Sequence, residues 1–228
     1  MLDQAFEALK TFDWGSDYNA LKPIDEAIVA TAGDAAARKE LETKLAEALK
    51  QDLSYAAQDF LFRKLRIVGT AASVPVIASF LTNEKTSHMA RYALELMEVP
   101  EAAAALREAL GKVSGKVRIG VISSLGDRED AEAVPALAAL LSADAETAAA
   151  AAYALGNIGT VEAGKALVGA TGVPAEAAEK VAHAALVCAE KLVKAGKKAE
   201  ALAIYKKLAA QNLPKVSRNV SGAGSVSH

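Results

Sequence analysis

Leu125-Gly-Asp-Arg-Glu-Asp-Ala-Glu-Ala-Val-Pro135 decides the fold because it recurs. Sixty residues earlier, aligned without a gap, stands Leu65-Arg-Ile-Val-Gly-Thr-Ala-Ala-Ser-Val-Pro75. Midway lies Leu94-Glu-Leu-Met-Glu-Val-Pro-Glu-Ala102, and 30 residues past the second copy lies Leu155-Gly-Asn-Ile-Gly-Thr-Val-Glu-Ala163. Twelve residues after each anchor leucine comes an apolar residue with a partner four further on: Ile77/Leu81, Leu106/Leu110 and Leu137/Leu141. The fourth unit keeps Leu167 and has Thr171 in the second place. Leu45/Leu49 extends the series backwards and Ile204/Leu208 forwards, with successive spacings of 32, 29, 31, 30 and 37. A period near 30 with two amphipathic stretches per unit is a helix–turn–helix repeat. One unit cannot bury its own apolar stripe, so it must stack on its neighbours.

Punctuation and composition agree. Asp130 is placed to cap the helix carrying Pro135, Asp144 the helix from Ala145 to Leu155, and Thr160 the helix from Val161. Gly69, Gly126 and Gly159 sit where helices are expected to end, and Val173-Pro174 puts a proline in a first turn. Of the 228 residues 53 are alanine, against 15 glycines and 6 prolines. That balance favours helices, since alanine loses no side-chain entropy on entering one. It argues against sandwiches and barrels, which need β-branched residues and frequent turns. With 52 % hydrophobic residues the chain has ample surface to bury. The expected fold is all-α: a right-handed α-solenoid of about six to seven stacked antiparallel helix pairs. No uncharged run reaches membrane-spanning length in usable form; the longest, Thr147 to Val161, is broken by Gly156, Asn157 and Gly159.

Val117-Arg118, Leu125-Gly126 and Asp130-Ala-Glu-Ala-Val-Pro-Ala-Leu137 together resemble HEAT repeats of the phycobilisome-lyase type, as does Leu155 to Ala163. The resemblance covers residues 35–172, with 1–34 as N-terminal capping helices. It implies a superhelix of helix pairs and leaves function open, because such repeats serve many unrelated roles. Residues 173–214 differ. Gly196-Lys-Lys-Ala-Glu-Ala201-Leu-Ala-Ile-Tyr205, with Leu213-Pro214 beyond, resembles the second half of a tetratricopeptide repeat. Ala189 stands where that family usually has glycine, so a degenerate HEAT pair is the other reading. Pro214 to Val220 begins like a further helix and then dissolves, so 215–228 is expected to be a flexible tail and the chain a part of something longer. Met1-Leu-Asp-Gln-Ala-Phe6 has no basic region and no apolar core, as expected for a cytoplasmic protein, or a periplasmic one whose signal peptide has been removed.

Reactive residues form no constellation. Cys188 is the only cysteine, which excludes an internal disulfide and a cysteine zinc site. His183 lies five residues from it and points elsewhere on a helix, so the pair reads as one core and one surface residue. His88 and His228 have no second ligand at metal spacing. Gly111-Lys-Val-Ser-Gly115 lacks the Gly-Lys-Ser/Thr ending of a phosphate loop. Glu129-Asp130 and Asp144-Ala-Glu146 sit at helix starts, where the dipole favours carboxylates. Trp14 near an aspartate suggests HEAT-type alkylpurine glycosylases, but those face a basic groove that these repeats do not have. No cofactor and no metal are expected.

What remains is a surface. Leu61, Phe62 and Leu65 mark a buried stripe, so positions 59, 63 and 66 point the other way. In HEAT stacks the second helix of each pair lines the concave side. Carried along the register, the groove positions are Asp59, Arg63 and Arg66, then His88, Tyr92 and Glu95, then Ile119, Ser123 and Gly126, then Ala149, Tyr153 and Gly156. The groove is polar and aromatic early and nearly bare later. Arg63, Arg66, His88, Tyr92 and Tyr153 are the expected partner-binding residues, since exposed tyrosines serve as rigid anchors. Charge is uneven as well: residues 127–182 carry nine acids and three bases, residues 183–219 eight bases and two acids. Only Tyr205 stands among those later bases, so a solvated surface is expected there and not a nucleic-acid site. The expected function is a non-catalytic scaffold binding a protein or peptide. The alternatives are a bilin lyase-like enzyme or accessory subunit, or a spacer module of a larger secreted bacterial protein.

Overall fold

A computed structural model describes residues 1–210. The expected tail and the helix-like start at Pro214 lie outside them. Among the described residues every regular element is helical. The helices are α1 (Leu2–Ala8), α2 (Lys22–Ala30), α3 (Ala35–Leu49), α4 (Tyr55–Val68), α5 (Val74–Ala78), α6 (Ser87–Glu95) and α7 (Pro100–Leu110). They continue with α8 (Gly115–Asp127), α9 (Val134–Ala139), α10 (Ala145–Ile158), α11 (Val161–Gly169), α12 (Ala175–Lys194) and α13 (Lys198–Ala210). None is long and apolar enough to cross a membrane.

The helices form an α-solenoid of two layers. In one layer α4, α6, α8, α10 and α12 stack in chain order. Against them pack their partners α3, α5, α7, α9 and α11, of which α3, α5 and α7 lie side by side, as do α9, α11 and α13. The repeat explains the split. Leu45/Leu49, Ile77/Leu81, Leu106/Leu110, Leu137/Leu141 and Ile204/Leu208 are all buried, each on or just past a helix of the second layer. Leu65, Leu94, Leu125 and Leu155, the anchors, are fully buried on the stacked inner helices.

Local signals set the boundaries. Ser54 caps α4 by accepting from the Ala57 amide at 3.1 Å, Asp144 caps α10 through Thr147 at 2.9 Å, and Thr160 caps α11 through Ala163 at 3.1 Å. Gly159 ends α10 at φ +64°, a left-handed turn that favours glycine. Asp130 caps a short 3₁₀ turn, Ala131–Ala133, from which α9 follows. Pro174 stands one position earlier than expected, as the N-cap of α12. Gly126 is a clearer departure: α8 runs through it to Asp127, and Gly126 is buried inside the last turn. A Cβ there would lie 2.7 Å from the Ala154 Cα, so the glycine lets α8 and α10 approach and does not end a helix. Gly156 does the same for α12, where a Cβ would meet the Ala184 carbonyl at 3.0 Å. Neither faces a groove, contrary to the register reading.

Long basic side chains tie successive inner helices together. Arg128 donates to the carbonyls of Leu94, Glu95 and Met97 at 2.6, 2.9 and 2.9 Å, at and just past the end of α6. Lys191 reaches the Asn157 carbonyl at the end of α10, and within one pair Arg38 of α3 reaches the Ile67 carbonyl at the end of α4. Arg91 donates to the Gly120 carbonyl at 3.0 Å and to Ser124 Oγ at 3.1 Å, while Ser124 donates to Glu95 at 2.7 Å. Burial pushes the Arg91 guanidinium down from its ordinary pKa, with Glu95 opposing. Buried Glu42 accepts from the Thr70 amide at 2.7 Å. No periodicity in the sequence announced these bonds.

Candidate functional site

Three of the five expected residues meet. Arg63 and Arg66 lie three apart on α4, and both guanidinium groups face the Tyr92 ring of α6, at 5.5 and 4.0 Å from its centroid. Arg66 also donates to the Tyr92 hydroxyl. Such stacking uses the negative face of the ring and the weak hydration of the guanidinium. Arg63 is already paired: Asp59, one turn earlier, accepts its Nε–H at 2.8 Å. That contact holds the Arg63 pKa above its ordinary value, through the hydrogen bond first and charge second. The cluster is therefore an aromatic–guanidinium surface in which Asp59 offsets the charge of Arg63 and Arg66 keeps its own.

His88 lies one turn before Tyr92 on the same face of α6 and is exposed. It stacks on Tyr55, the first residue of α4, with ring centroids 5.9 Å apart and planes 26° from parallel. Tyr55 Oη and His88 Nε2 are 2.9 Å apart, a hydrogen bond across the two helices. Trp14, from the segment between α1 and α2, adds a third ring, 6.5 Å from Tyr55. Trp14 is 69 % exposed and Tyr55 43 %. The register reading missed both. Tyr55 was within reach, since it precedes Asp59 by four and Arg63 by eight and so shares their face. Trp14 was not, because its neighbour lies 41 residues on in sequence.

Tyr153 stands apart. It is 60 % exposed on α10, and α8 lies between it and the Tyr92 cluster. At the intervening positions stand half-buried Ile119 and Ser123. The structure thus joins Arg63, Arg66 and Tyr92, sets His88 beside them, and leaves Tyr153 further along the stacked layer without a ring partner among the described residues.

Other reactive groups are spent on structure. Cys188 is buried, its Sγ 3.4 Å from the Thr160 carbonyl, and burial raises its pKa to about 11. A thiol held neutral is a poor nucleophile, while His183 is exposed elsewhere on the helix. Asp130 receives two bonds from Arg107, at 2.6 and 2.8 Å. Among the described residues no three His, Cys, Asp or Glu side chains gather as a metal site would require.

Comparison with known proteins agrees with this architecture. Residues 103–187 match the HEAT repeats family. Together with the stacked helix pairs, that match makes the chain a HEAT-like repeat protein. No curated protein matches it in sequence. Among solved structures, human deoxyhypusine hydroxylase in complex with glycerol is similar to it, at 17 % identity and a TM-score of 0.39, covering 85 % of this chain and 96 % of that one.

Proposed function

We propose that the chain is a non-catalytic scaffold that binds a protein or peptide segment on the exposed face of α4 and α6. One observation carries the reading. Trp14, Tyr55 and His88 form an exposed row of rings beside the Arg63–Tyr92 cluster, whereas the rings of Phe60 and Phe62 are buried. Burying large rings is among the strongest drives in folding, and an exposed row of them rimmed by polar groups marks an interaction surface. Tyrosine, tryptophan and arginine are also the residues that dominate binding energy at interfaces. Tyr153 would lengthen the site along the same layer. Asp59 balances Arg63, so Arg66, half-buried against Tyr92, is the one net charge this cluster adds to the rings.

A peptide-display selection against the purified chain, counter-screened on a Tyr92→Ala plus Arg63→Ala variant, tests this. Peptide families that require the two side chains, with helicity unchanged by circular dichroism, support the surface. Identical selections from both proteins would overturn it and move attention to the basic helices α12 and α13.

A further inference from the structure

We infer that the exposed face of α12 is a dimer interface, on which a second copy of this chain lays its own α12 antiparallel. The face lies apart from α4 and α6, and the inference goes beyond the binding proposed there. A Cβ on Gly156 would meet Ala184, and one on Gly159 would meet Lys191. So α12 runs parallel to α10, and residues 184 and 191 mark its covered side. Two residues further on, Leu186 and Val193 stand about 200° round the helix, on the far side. Leu186 is 41 % exposed and Val193 40 %. On α13, Ile204 packs against Gly164 of α11, and by the same arithmetic Leu202 looks away from it, 51 % exposed. Three large apolar side chains thus stand on the end of the described stack, where a solenoid facing water carries a polar surface.

A further repeat does not fit this face as α10 fits on α8. Gly126 and Gly156 follow the anchors Leu125 and Leu155, and each admits the next inner helix at backbone distance. Thirty residues past Gly156 the same place is Leu186. Its side chain fills the room that a closely packed parallel helix needs. The occupant must therefore meet side chains.

The order of charges selects it. Along the exposed stripe stand Glu179, His183, Leu186, Glu190, Val193 and Lys194. Glu179, Glu190 and Lys194 have no ion-pair partner among the described residues. A second α12 laid parallel sets Glu179 on Glu179. Laid antiparallel about Leu186, it sets Leu186 on Leu186, Glu179 beside Val193 and Lys194 of the second copy, and Glu190 beside its His183. A two-fold axis repeats each polar pair on either side of the apolar centre, and it closes the assembly as a dimer. The available area also fits. The 20 residues of α12 span about 30 Å, and two helices side by side about 20 Å. That is about 600 Å² per copy, or about 1,200 Å² in all, at the lower limit of a specific interface. The expected dissociation constant is about 1–100 μM.

Sedimentation velocity on the full chain, from about 1 to about 500 μM, should show monomer passing to dimer. Leu186→Asp should stay monomeric throughout, whereas Ile67→Asp, at an exposed position of α4, should dimerise as wild type does. Glu179→Lys and Lys194→Glu should each raise the dissociation constant about tenfold or more, since each sets like charges together. Mixing those two variants should restore association, because every ion pair across a mixed dimer is again of opposite sign. Glu179 and Lys194 lie about 22 Å apart along one helix, so the rescue cannot arise within a chain. Circular dichroism on each variant separates lost association from lost folding. The proposal is overturned by any of three results: a monomer at every concentration, a dimer that Leu186→Asp leaves intact, or no recovery on mixing. The peptide selections read a separate surface, so none of these results decides the interaction reading.

Discussion

Two regions of one stack are built on opposite plans. Around α10 the contact surfaces are glycine and alanine: Gly126 sits on Ala154, Gly156 on Ala184, and Ala148, Ala151 and Ala152 are fully buried. At α4 long side chains make the contacts instead, with Phe62 edge-on at 5.3 Å to Phe80, in the turn after α5, and Arg66 reaching across to Tyr92 of α6. Small residues let backbones approach and fill the interface with main chain, which leaves little side chain to present outward. Large residues bring polar and aromatic groups to the rim. The early, chemically rich face and the later bare one thus follow from how each part of the stack is packed.

The first way to break this comparison is to remove volume from the early part. Phe62 is fully buried, so Phe62→Ala should cost about 3–5 kcal/mol. Repeat units interact with their neighbours, so the loss should appear in thermal melts as an early transition of the N-terminal units, with the later units melting as before. An unchanged melt would mean that the early interface does not depend on large side chains.

Adding volume to the later part is the converse test. Gly126→Ala should destabilise by about 1–3 kcal/mol, since the obstacle is the Ala154 backbone, which cannot rotate aside. This runs against helix propensity, by which alanine gains about 1 kcal/mol over glycine. Gly169→Ala, at the end of α11 where a Cβ meets nothing within 4 Å, is the control and should be neutral or stabilising. Equal effects at both sites would refute close packing at α8–α10.

These two interfaces also show which parts of the molecule could be read in advance. Apolar periodicity located the layers, because burial of Leu65, Leu125 and their equivalents is a local and repeating demand. The face of α4 that carries Arg63 and Arg66 followed from the same arithmetic. The roles of Gly126 and Gly156 did not, because a glycine that ends a helix and one that admits a neighbour are the same letter. They differ only in what stands across the interface. Arg128 and Lys191 were invisible for a related reason: their partners are backbone carbonyls about 30 residues away, and a carbonyl has no sequence signature. Trp14 joins the site only through tertiary approach to Tyr55.

Arg128 sharpens the comparison between the two kinds of tie. Arg128→Met keeps most of the stem and removes the donors to three carbonyls, and it should cost about 1–3 kcal/mol. Chemical denaturation with an unchanged m-value would confirm a loss of stability without a change of compactness.

Cys188 offers a smaller, pH-dependent effect in the later part. Its ordinary pKa of 9.0 is raised to about 11 by burial, so the folded chain keeps a proton that the unfolded chain releases first. Between these values the unfolded state binds fewer protons, and the contribution of this group to stability must fall as pH rises from 9 towards 11. Denaturation midpoints of wild type and Cys188→Ala should therefore converge over that window. Iodoacetamide should label the native thiol slowly and the urea-unfolded thiol fast; equally fast labelling of both would show that α12 does not shield it.

The smallest effect concerns Tyr153, exposed on the bare side. Tyr153→Ala should change stability by no more than about 0.5 kcal/mol, because the side chain is 60 % exposed and leaves no buried group unpaired. What it does to binding then measures how far the early surface extends. If the bound segment crosses α8, over half-buried Ile119 and Ser123, the variant should weaken the displayed peptides by an amount that grows with their length. Short peptides that span only α4 and α6 should bind it as they bind wild type. A uniform loss for short and long peptides alike would mean that the two faces are coupled through the stack. No loss at any length would end the site at α6 and leave Tyr153 a solvated side chain on an alanine-packed helix.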